Sequence, residues 1–364
     1  LLEPHWQFKK SIKQIFKLSK LPEMSLLCSL CSIPLSWAIA VASLAYLAYK
    51  LFDRKRRAEL ADIPSDWRSV LVTGCDTGFG HQLALRLAGK GWCVLAGCLT
   101  QAAVDKFSAM GNQNLVPIRM DVTDEESVKS AVAKAEVALK DRKLCGLWGV
   151  VNNAGISGSR MGPTEFLSAD DFHQVFAVNV FGIANVTRSF LPLMRRLPAG
   201  RLVNTSSIFG RFASPGAAPY CASKFAVQAL SDCYRRELRQ FGIRVSCIEP
   251  GFHRTPITDK TALTRAVNLG YQDAPAELRD AYGESFRRES VDRLDDLLRF
   301  CSDRLDKVVD AYEEALTSKH PRCRHMIGWD AKLLYWPLAV LPECIGDTLL
   351  ALRLPRAAKA RKNA

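Results

Sequence analysis

The sequence has no internal repeat, no low-complexity tract and no cysteines paired at the spacing of a metal site. The first two absences argue against a repeat array and a disordered chain. The twelve cysteines are scattered, and Cys28-x-x-Cys31 lies in an apolar run, where a thiol behaves as a small apolar side chain. We therefore predict that the protein holds no metal.

The sequence also has no continuous basic stripe, although its formal net charge is +13. The basic residues lie in the first twenty positions, in Arg54–Arg57, at scattered helix positions and in the tail from Arg353 to Lys362. No nucleic-acid reader motif accompanies them. This pattern is typical of flanking segments and solvated faces, so we predict no nucleic-acid partner.

No charged residue occurs between Glu23 and Lys50. This run exceeds the ~20 residues that cross a bilayer, and no small-residue cleavage site precedes the basic cluster that follows it. We predict an uncleaved membrane anchor at 24–50 and a basic linker at 51–67, with 1–23 as an N-terminal extension. A cleaved signal peptide and a helix buried in the fold are the alternatives. If synthesis starts at Met24, the positive-inside rule places the rest of the chain in the cytosol, whereas the lysines of 1–23 would balance the other flank.

From Ser69 to Gly251 short β-branched runs alternate with longer helical segments. This alternation predicts an α/β fold with a doubly wound parallel sheet covered on both faces. The predicted strands are 70–73, 93–98, 115–119, 147–151, 201–205 and 243–248, and the predicted helices are 79–90, 124–140, 170–196 and 219–240.

The first predicted strand leads into a glycine-rich turn followed by a helix. Glycines in this position let the backbone turn sharply and approach a pyrophosphate, which then lies against the helix N-terminus. The segment therefore indicates a Rossmann-like dinucleotide site, although a glycine cluster alone is often only a turn. Its residues are Thr73-Gly74-Cys75-Asp76-Thr77-Gly78-Phe79-Gly80.

Tyr220 and Lys224 stand four residues apart at the start of a predicted helix, which places both side chains on one face. A nearby ammonium favours the phenolate, so we expect Lys224 to lower the pKa of Tyr220 toward neutrality. The phenol could then exchange a proton with a carbinol hydroxyl. Taken alone, such a pair is more often a surface tyrosine and a solvated lysine at helical spacing.

Further polar residues and turns follow the other predicted strands or begin the adjoining helices, where open α/β sheets bind ligands. Ser207 follows one strand thirteen residues before Tyr220, and its hydroxyl could hold a reacting oxygen. The remaining positions are Asn152-Asn153-Ala154-Gly155, Asn179, Pro250-Gly251 and Thr255.

These motifs, in this order, resemble those of the short-chain dehydrogenase/reductase superfamily over residues 68–330. The glycine segment, Tyr220-x-x-x-Lys224, Glu249-Pro250-Gly251-Phe252 and Gly328-Trp329-Asp330-Ala331-Lys332 are similar to the retinol and hydroxysteroid dehydrogenase branch, which also contains 3-hydroxybutyrate dehydrogenase. The resemblance implies a single catalytic domain at 68–330. It also implies a homo-oligomer by analogy.

The resemblance implies four catalytic roles. Tyr220 would be the acid/base, Ser207 would orient the substrate oxygen, and Asn179 would complete a water-mediated proton path. Lys224 would depress the tyrosine pKa and hold the nicotinamide ribose.

It also implies cofactor contacts, and Tyr220 and Lys224 would be among them. The segment 152–155 would support the cofactor side of the sheet, and Thr255 with the Pro250-Gly251 turn would contact the nicotinamide amide. Asp121 would hydrogen-bond the adenine, but it could equally cap the next helix.

NAD is predicted in preference to NADP. NADP enzymes usually offer Arg or Lys where the second strand ends, to meet the additional phosphate. Here Leu99 is neutral and Asp76 is acidic, so a 2′-phosphate would be repelled.

Substrate clues lie outside the shared motifs. A lid is expected within 252–303, where His253 and Arg254 could neutralise a substrate carboxylate or remain exposed loop charges. The apolar segment opening 331–364 could enter a membrane leaflet or cap the core.

An anchor suits a small lipophilic substrate, so retinoids or steroids and an endoplasmic-reticulum membrane are predicted. The ending Arg361-Lys362-Asn363-Ala364 is similar to a dibasic retrieval signal for that compartment. The alternatives are a 3-hydroxybutyrate dehydrogenase of the mitochondrial inner membrane, with the basic start as its targeting segment, and a non-catalytic dinucleotide-binding scaffold.

Overall fold

The computed structural model describes residues 35–299, 301–352 and 354–359. The chain divides between Ala58 and Glu59 into two compact units. Within the first unit, helix α1 (Leu35–Ala58) continues through the basic run of the predicted linker. The remainder of the predicted anchor, the extension 1–23 and the final five residues lie outside the described residues.

The second unit is built on a seven-stranded sheet with every adjacent pair parallel, in the order β3-β2-β1-β4-β5-β6-β7. The order reverses direction between β1 and β4, which opens a crevice at the carboxyl ends of these strands. The strands are β1 (Ser69–Thr73), β2 (Cys93–Cys98), β3 (Leu115–Arg119), β4 (Gly149–Asn152), β5 (Gly200–Thr205), β6 (Ile243–Pro250) and β7 (Arg324–Ile327).

Helices follow the strands and cover both faces of the sheet, as predicted. They are α2 (Gly78–Gly89), α3 (Gln101–Ala109), α4 (Glu125–Asp141), α5 (Ala169–Phe176), α6 (Gly182–Met194), α7 (Ala218–Glu237), α8 (Lys260–Gln272), α9 (Ala276–Leu298), α10 (Leu305–Thr317), α11 (Trp336–Val340) and α12 (Glu343–Ala351).

The two faces of the sheet form separate parts of the core. In β1, Val70 and Val72 pack in the cluster that contains residues of α2, α3 and α10, whereas Leu71 packs with residues of α4 and α6. All five residues of β1 are buried, as expected for a central strand covered on both sides. The predicted doubly wound α/β fold is thus confirmed.

The run from α5 to α6 is interrupted by a π turn, Ala177–Phe181. Among the described residues, Ala169–Met194 is the one helix long and apolar enough to cross a membrane by length and composition. Its residues Val186 and Phe190 are fully buried against the sheet, which identifies it as a core helix.

The segment after β7 packs against the carboxyl edge of the sheet. Tyr335 and Leu338 contact a buried cluster formed by Ile208, Phe209 and Phe212. The outer side of the same segment is apolar and exposed, at Leu333, Val340, Leu341, Ile345, Leu349 and Leu352.

Candidate active site

The glycine turn between β1 and α2 has the backbone that a dinucleotide loop requires. Gly74 and Gly78 have φ angles of 67° and 64°, a region that favours glycine. A Cβ at Gly74 would stand 2.8 Å from the Ala154 Cα, so the close approach of two loops also excludes a side chain there. Thr77 precedes α2 with extended backbone and no side-chain cap. The helix therefore presents uncapped N–H groups, which suit a pyrophosphate.

Asn153 holds this turn in place. Its Nδ2 donates to the Thr73 carbonyl at 2.9 Å and to the Gly74 carbonyl at 3.1 Å. In return, the Thr73 hydroxyl accepts hydrogen bonds from the backbone N–H groups of Asn153 and Ala154, each at 3.0 Å. The loop after β4 and the glycine turn are thus joined into one unit.

Asn152 contributes from the interior of the sheet. Its buried amide donates to Thr187 at 3.0 Å and to the Asn204 side chain at 2.8 Å. These bonds connect β4 with β5 and α6. Asn152 therefore supports the site through the sheet.

Asp76 reaches across to the end of β2. Its carboxylate accepts hydrogen bonds from the backbone N–H of Leu99 at 2.9 Å and of Thr100 at 3.0 Å, and from the Thr100 hydroxyl at 2.8 Å. A negative charge therefore stands at the end of β2, where Rossmann-like folds distinguish a ribose from its phosphate.

Asp121 does not cap the helix that follows β3. The N-cap of α4 is Asp124, whose carboxylate accepts from the N–H groups of Glu126 and Ser127. Asp121 instead accepts from Thr123 N–H and hydroxyl at 2.9 and 2.7 Å, closing a tight local turn. Of the two interpretations of this residue, the capping one is wrong.

The turn after β6 faces the glycine turn from the other side. The Thr255 methyl lies 3.7 Å from the position of a Cβ on Gly78, and Phe79 contacts the His253 ring edge-on at 5.7 Å between centroids. Gly251 packs against buried Asp330, whose carboxylate accepts the Phe252 N–H at 2.7 Å. Asp330 therefore positions the loop, a role that its motif alone did not reveal.

Lys224 is buried beneath the site. Its Nζ donates to the Thr205 carbonyl at 2.9 Å and lies 5.5 Å from the centroid of the Tyr220 ring. A Cβ on Gly155 would lie 3.4 Å from this nitrogen and 3.2 Å from the Asn179 Oδ1. The predicted Tyr–Lys pair is therefore on one side of α7, with Gly155 and Asn179 beside it.

Burial raises the pKa of the Tyr220 phenol to about 12, although a hydrogen bond with Ser207 acts in the opposite direction. Burial also lowers the pKa of the Lys224 ammonium to about 8. The predicted shift of the tyrosine pKa toward neutrality is therefore wrong for this structure. Desolvation by burial is the largest influence on the Tyr220 pKa.

Asn179 lies in the π turn between α5 and α6, a local widening that often accompanies functional residues. It is fully buried. Its side chain accepts from the Ile156 N–H and donates to the Ile156 carbonyl, both at 2.9 Å, and donates to the Ser223 hydroxyl at 3.0 Å. Asn179 thus fixes the loop after β4 against the second turn of α7.

An apolar pocket opens beside Tyr220 and Ser207, with a volume of about 100 Å³. None of its lining residues, all of which the structure describes, carries a charged side chain. The lid expected within 252–303 contributes Ile257, Thr258 and residues of α8 and α9. The apolar side chains around the pocket include Met161, Ile208, Phe209, Phe252, Leu263, Leu294 and Leu297.

His253 and Arg254 do not supply charge to this pocket. The buried His253 ring shares a hydrogen bond with the Gly251 carbonyl at 3.1 Å. Arg254 forms an exposed ion pair with Asp303 at 2.5 Å. The interpretation of these two residues as a carboxylate site is therefore not supported by the geometry.

One further network was not predicted from the sequence. The fully buried Tyr312 of α10 shares a hydrogen bond of 2.7 Å with the Thr205 hydroxyl and donates to the Asn153 Oδ1 at 3.2 Å. It thereby connects the strand that holds Lys224 with the residue that holds the glycine turn. The sequence signal is weak, since a tyrosine in an amphipathic helix usually indicates core packing.

The described residues thus fit a dinucleotide at one side of the crevice and an apolar molecule at the other, with a tyrosine hydroxyl between the two. This arrangement defines a dinucleotide-dependent oxidoreductase. A family profile described as short chain dehydrogenase matches residues 68–266, and the chain belongs to that family.

Individual proteins agree with this assignment. The chain is similar to 17-beta-hydroxysteroid dehydrogenase type 6 of Bos taurus, with 41% identity over 80% of this chain and 90% of the other. It is 40% identical to retinol dehydrogenase 5 of Homo sapiens, over 82% and 92% of the two chains. The predicted retinol and hydroxysteroid dehydrogenase branch is confirmed.

A solved structure shows the same fold. It is a short chain dehydrogenase/reductase from Burkholderia phymatum in complex with NAD, with a TM-score of 0.59 and 26% identity. The match covers 80% of this chain and 97% of that one. The protein is therefore an enzyme of this family.

Proposed function

We propose that this enzyme oxidises the hydroxyl group of a lipophilic alcohol, a retinoid or a hydroxysteroid, with NAD as the preferred cofactor. The observation that carries the proposal is the uncharged, apolar lining of the pocket directly beside Tyr220 and Ser207, whose volume of about 100 Å³ would hold the reacting end of the alcohol. The transfer of a lipophilic alcohol from water to such an apolar lining is favourable. A carboxylate substrate would be buried there without a counter-ion, which disfavours the alternative of hydroxybutyrate.

Four side chains carry the proposed chemistry. Ser207 would position the substrate hydroxyl, and the Tyr220 oxygen would receive its proton after passing its own proton into the path toward solvent. Lys224 places a positive charge beneath the phenol, and Asn179 holds the neighbouring loop for a proton path toward solvent. When bound, NAD supplies the carbon that accepts the hydride.

The cofactor would be held by the features that surround the crevice. The N–H groups at the start of α2, with Thr73, Gly74, Thr77, Gly78, Phe79 and Gly80, would hold the pyrophosphate. Asp121 would face the adenine, and Thr255 with Pro250 and Gly251 would face the nicotinamide. Asp76 favours NAD because its carboxylate would repel a 2′-phosphate.

The test is an assay of the purified full chain with retinol, an androstanediol and 3-hydroxybutyrate, each with NAD and with NADP. We expect turnover of at least one lipid alcohol, no turnover of hydroxybutyrate, and a lower KM for NAD than for NADP. Asp76→Asn keeps the shape of the side chain but removes its charge. This variant should therefore show a smaller difference between the KM for NAD and the KM for NADP.

Hydroxybutyrate turnover that exceeds the lipid alcohols would overturn the substrate assignment. A lower KM for NADP in the unaltered enzyme would overturn the cofactor assignment. Absence of turnover with every alcohol would overturn the proposed substrate class.

We further propose that residues 24–50 anchor the enzyme in the endoplasmic-reticulum membrane. Helix α1 supports this, because Trp37, Val41, Leu44 and Leu47 on it are all more than half exposed. The exposed apolar side of α11 and α12 supports a further membrane contact. Carbonate-washed organelle fractions should retain the protein with endoplasmic-reticulum markers, and recovery with mitochondrial inner membranes would contradict this.

A further inference from the structure

A second cavity lies at the opposite edge of the sheet, where β5 and β6 begin. Its volume is about 590 Å³, within the range of ligand sites. The catalytic side chains all lie at the carboxyl ends of the strands, so this cavity is separate from the proposed active site.

Arg201, at the start of β5, brings a buried positive charge to the cavity. The residue is 4% exposed. Two of its nitrogens donate to the carbonyls of Gly200 and Ser318 at 3.0 Å each, and its Nε is buried without a hydrogen-bond partner. Among the ion pairs of the described residues, none involves Arg201. The guanidinium instead lies over the Trp148 ring at 4.7 Å.

This charge is unfavourable in its surroundings. Burial lowers the pKa of Arg201 to about 10, and repulsion by Arg244 acts in the same direction. Buried charges are ordinarily paired with an opposite charge. The two carbonyls explain the orientation of the guanidinium but leave its charge without a counter-ion.

The rest of the lining carries both charge and apolar surface. Arg239, Arg244 and Lys319 are exposed at the rim, and Asp62 is the one carboxylate among the lining residues. Trp67 stacks on Trp148 with 6.2 Å between ring centroids. Lys319 also pairs with exposed Glu59 at 3.8 Å. The lining residues themselves carry four positive charges and one negative charge beside an aromatic wall.

We propose that this cavity binds an amphipathic anion, a carboxylate or phosphate group attached to an apolar chain. The anionic group would lie between Arg244 and Lys319 and compensate the charge of Arg201. The apolar chain would lie along Trp67. A free fatty acid and a phospholipid share this chemistry.

The test uses the full chain in nanodiscs of neutral lipid, with empty nanodiscs as the blank. Calorimetric titrations compare octanoate, octyl phosphate, octanol and inorganic phosphate. The variant Arg244→Gln/Lys319→Gln removes two exposed rim charges without touching buried Arg201. The matched control is Arg188→Gln, an exposed arginine outside the cavity.

We expect octanoate or octyl phosphate to bind and to lose at least about tenfold in affinity in the double variant, but not in the control. Binding of octanoate alone would assign a fatty acid, and binding of octyl phosphate alone would assign a phospholipid; either result supports the proposal. Octanol binding should be the same in all three proteins.

Equal affinity of the double variant and the unaltered chain would overturn the proposal. Absence of binding of both octyl anions would also overturn it. If inorganic phosphate binds as tightly as octyl phosphate, the apolar chain contributes nothing to binding, and the proposal of an amphipathic ligand is overturned.

Discussion

Lys224 and Tyr220 show how strongly burial governs the chemistry of single residues. The two residues stand four positions apart on α7, and the charge of Lys224 was expected to lower the pKa of Tyr220. The ammonium instead binds the Thr205 carbonyl, and both groups shift toward their neutral forms. Sequence spacing predicts that two side chains lie on one face of a helix, but not how much water surrounds them.

The lowered pKa of Lys224 predicts that the stability of the protein depends on pH. The variant Lys224→Met should lack this contribution. The pKa of Lys224 falls from 10.5 to about 8 on folding. Between these two pH values the unfolded chain binds more protons than the folded chain. The free energy of unfolding therefore increases as pH rises from 8 to 10.5, and this increase is lost again as pH falls back to 8. For a lysine only 3% exposed, the difference is about 3 kcal/mol.

The measurement is the thermal unfolding midpoint of both proteins between pH 7 and 10.5. The unaltered chain should gain stability relative to Lys224→Met across this range, whatever constant offset the substitution introduces. If the unfolding midpoints of the two proteins change with pH in parallel, the pKa of Lys224 is not lowered in the folded protein.

Other residue roles were predictable to different degrees. Tyr220, Ser207 and the glycines could be found from motif spacing, because their chemistry depends on position after a strand. Asp121 and Asp124 are both plausible caps in the sequence, and only the helix start at Glu125 separates them. Asp330 and Tyr312 could not be assigned, since their partners are 78 and more than 100 residues distant.

Elements whose pattern arises from the sheet were predicted best. The six predicted strands all form. Five of them are central, and central parallel strands are buried on both sides and appear in the sequence as apolar runs, whereas β3 lies at the edge of the sheet and is only partly buried. Strand β7 was missed, since its four residues include Arg324 and His325 and its pairing with β6 depends on tertiary contacts. Helices α8 and α9 occupy the segment where only a lid was expected.

Helix α10 provides a prediction at the scale of elements. Tyr312→Phe removes the hydroxyl that connects Thr205 and Asn153, while the ring can still fill its space. Unpaired buried groups should lower the unfolding free energy by ~1–3 kcal/mol. The KM for NAD should rise with little change in kcat, because Asn153 holds the glycine turn.

The comparison is Tyr271→Phe, whose hydroxyl donates to the Arg279 carbonyl at 3.3 Å near the surface. Steady-state kinetics and thermal unfolding of both variants suffice. If Tyr312→Phe behaves like Tyr271→Phe, α10 does not position the cofactor loop.

At the scale of the molecule, the parallel sheet brings distant segments to one edge. The glycine turn, the loop after β4, the π turn, Ser207, α7 and the turn after β6 all meet there, although Gly74 and Thr255 are 181 positions apart in the sequence. The opposite edge carries the cationic cavity, which motif spacing did not indicate because its residues belong to no familiar pattern. The fold could be predicted from alternation, whereas the chemistry of each edge required coordinates.

The central claim is that the Tyr220 hydroxyl transfers the substrate proton. Tyr220→Phe removes that oxygen and retains the ring, so NAD should still bind, as a measured Kd would show. Turnover of the best lipid alcohol, followed as NADH formation by the full chain, should fall by about 10²–10⁴-fold. Unchanged turnover by Tyr220→Phe, with NAD bound normally, would contradict the account.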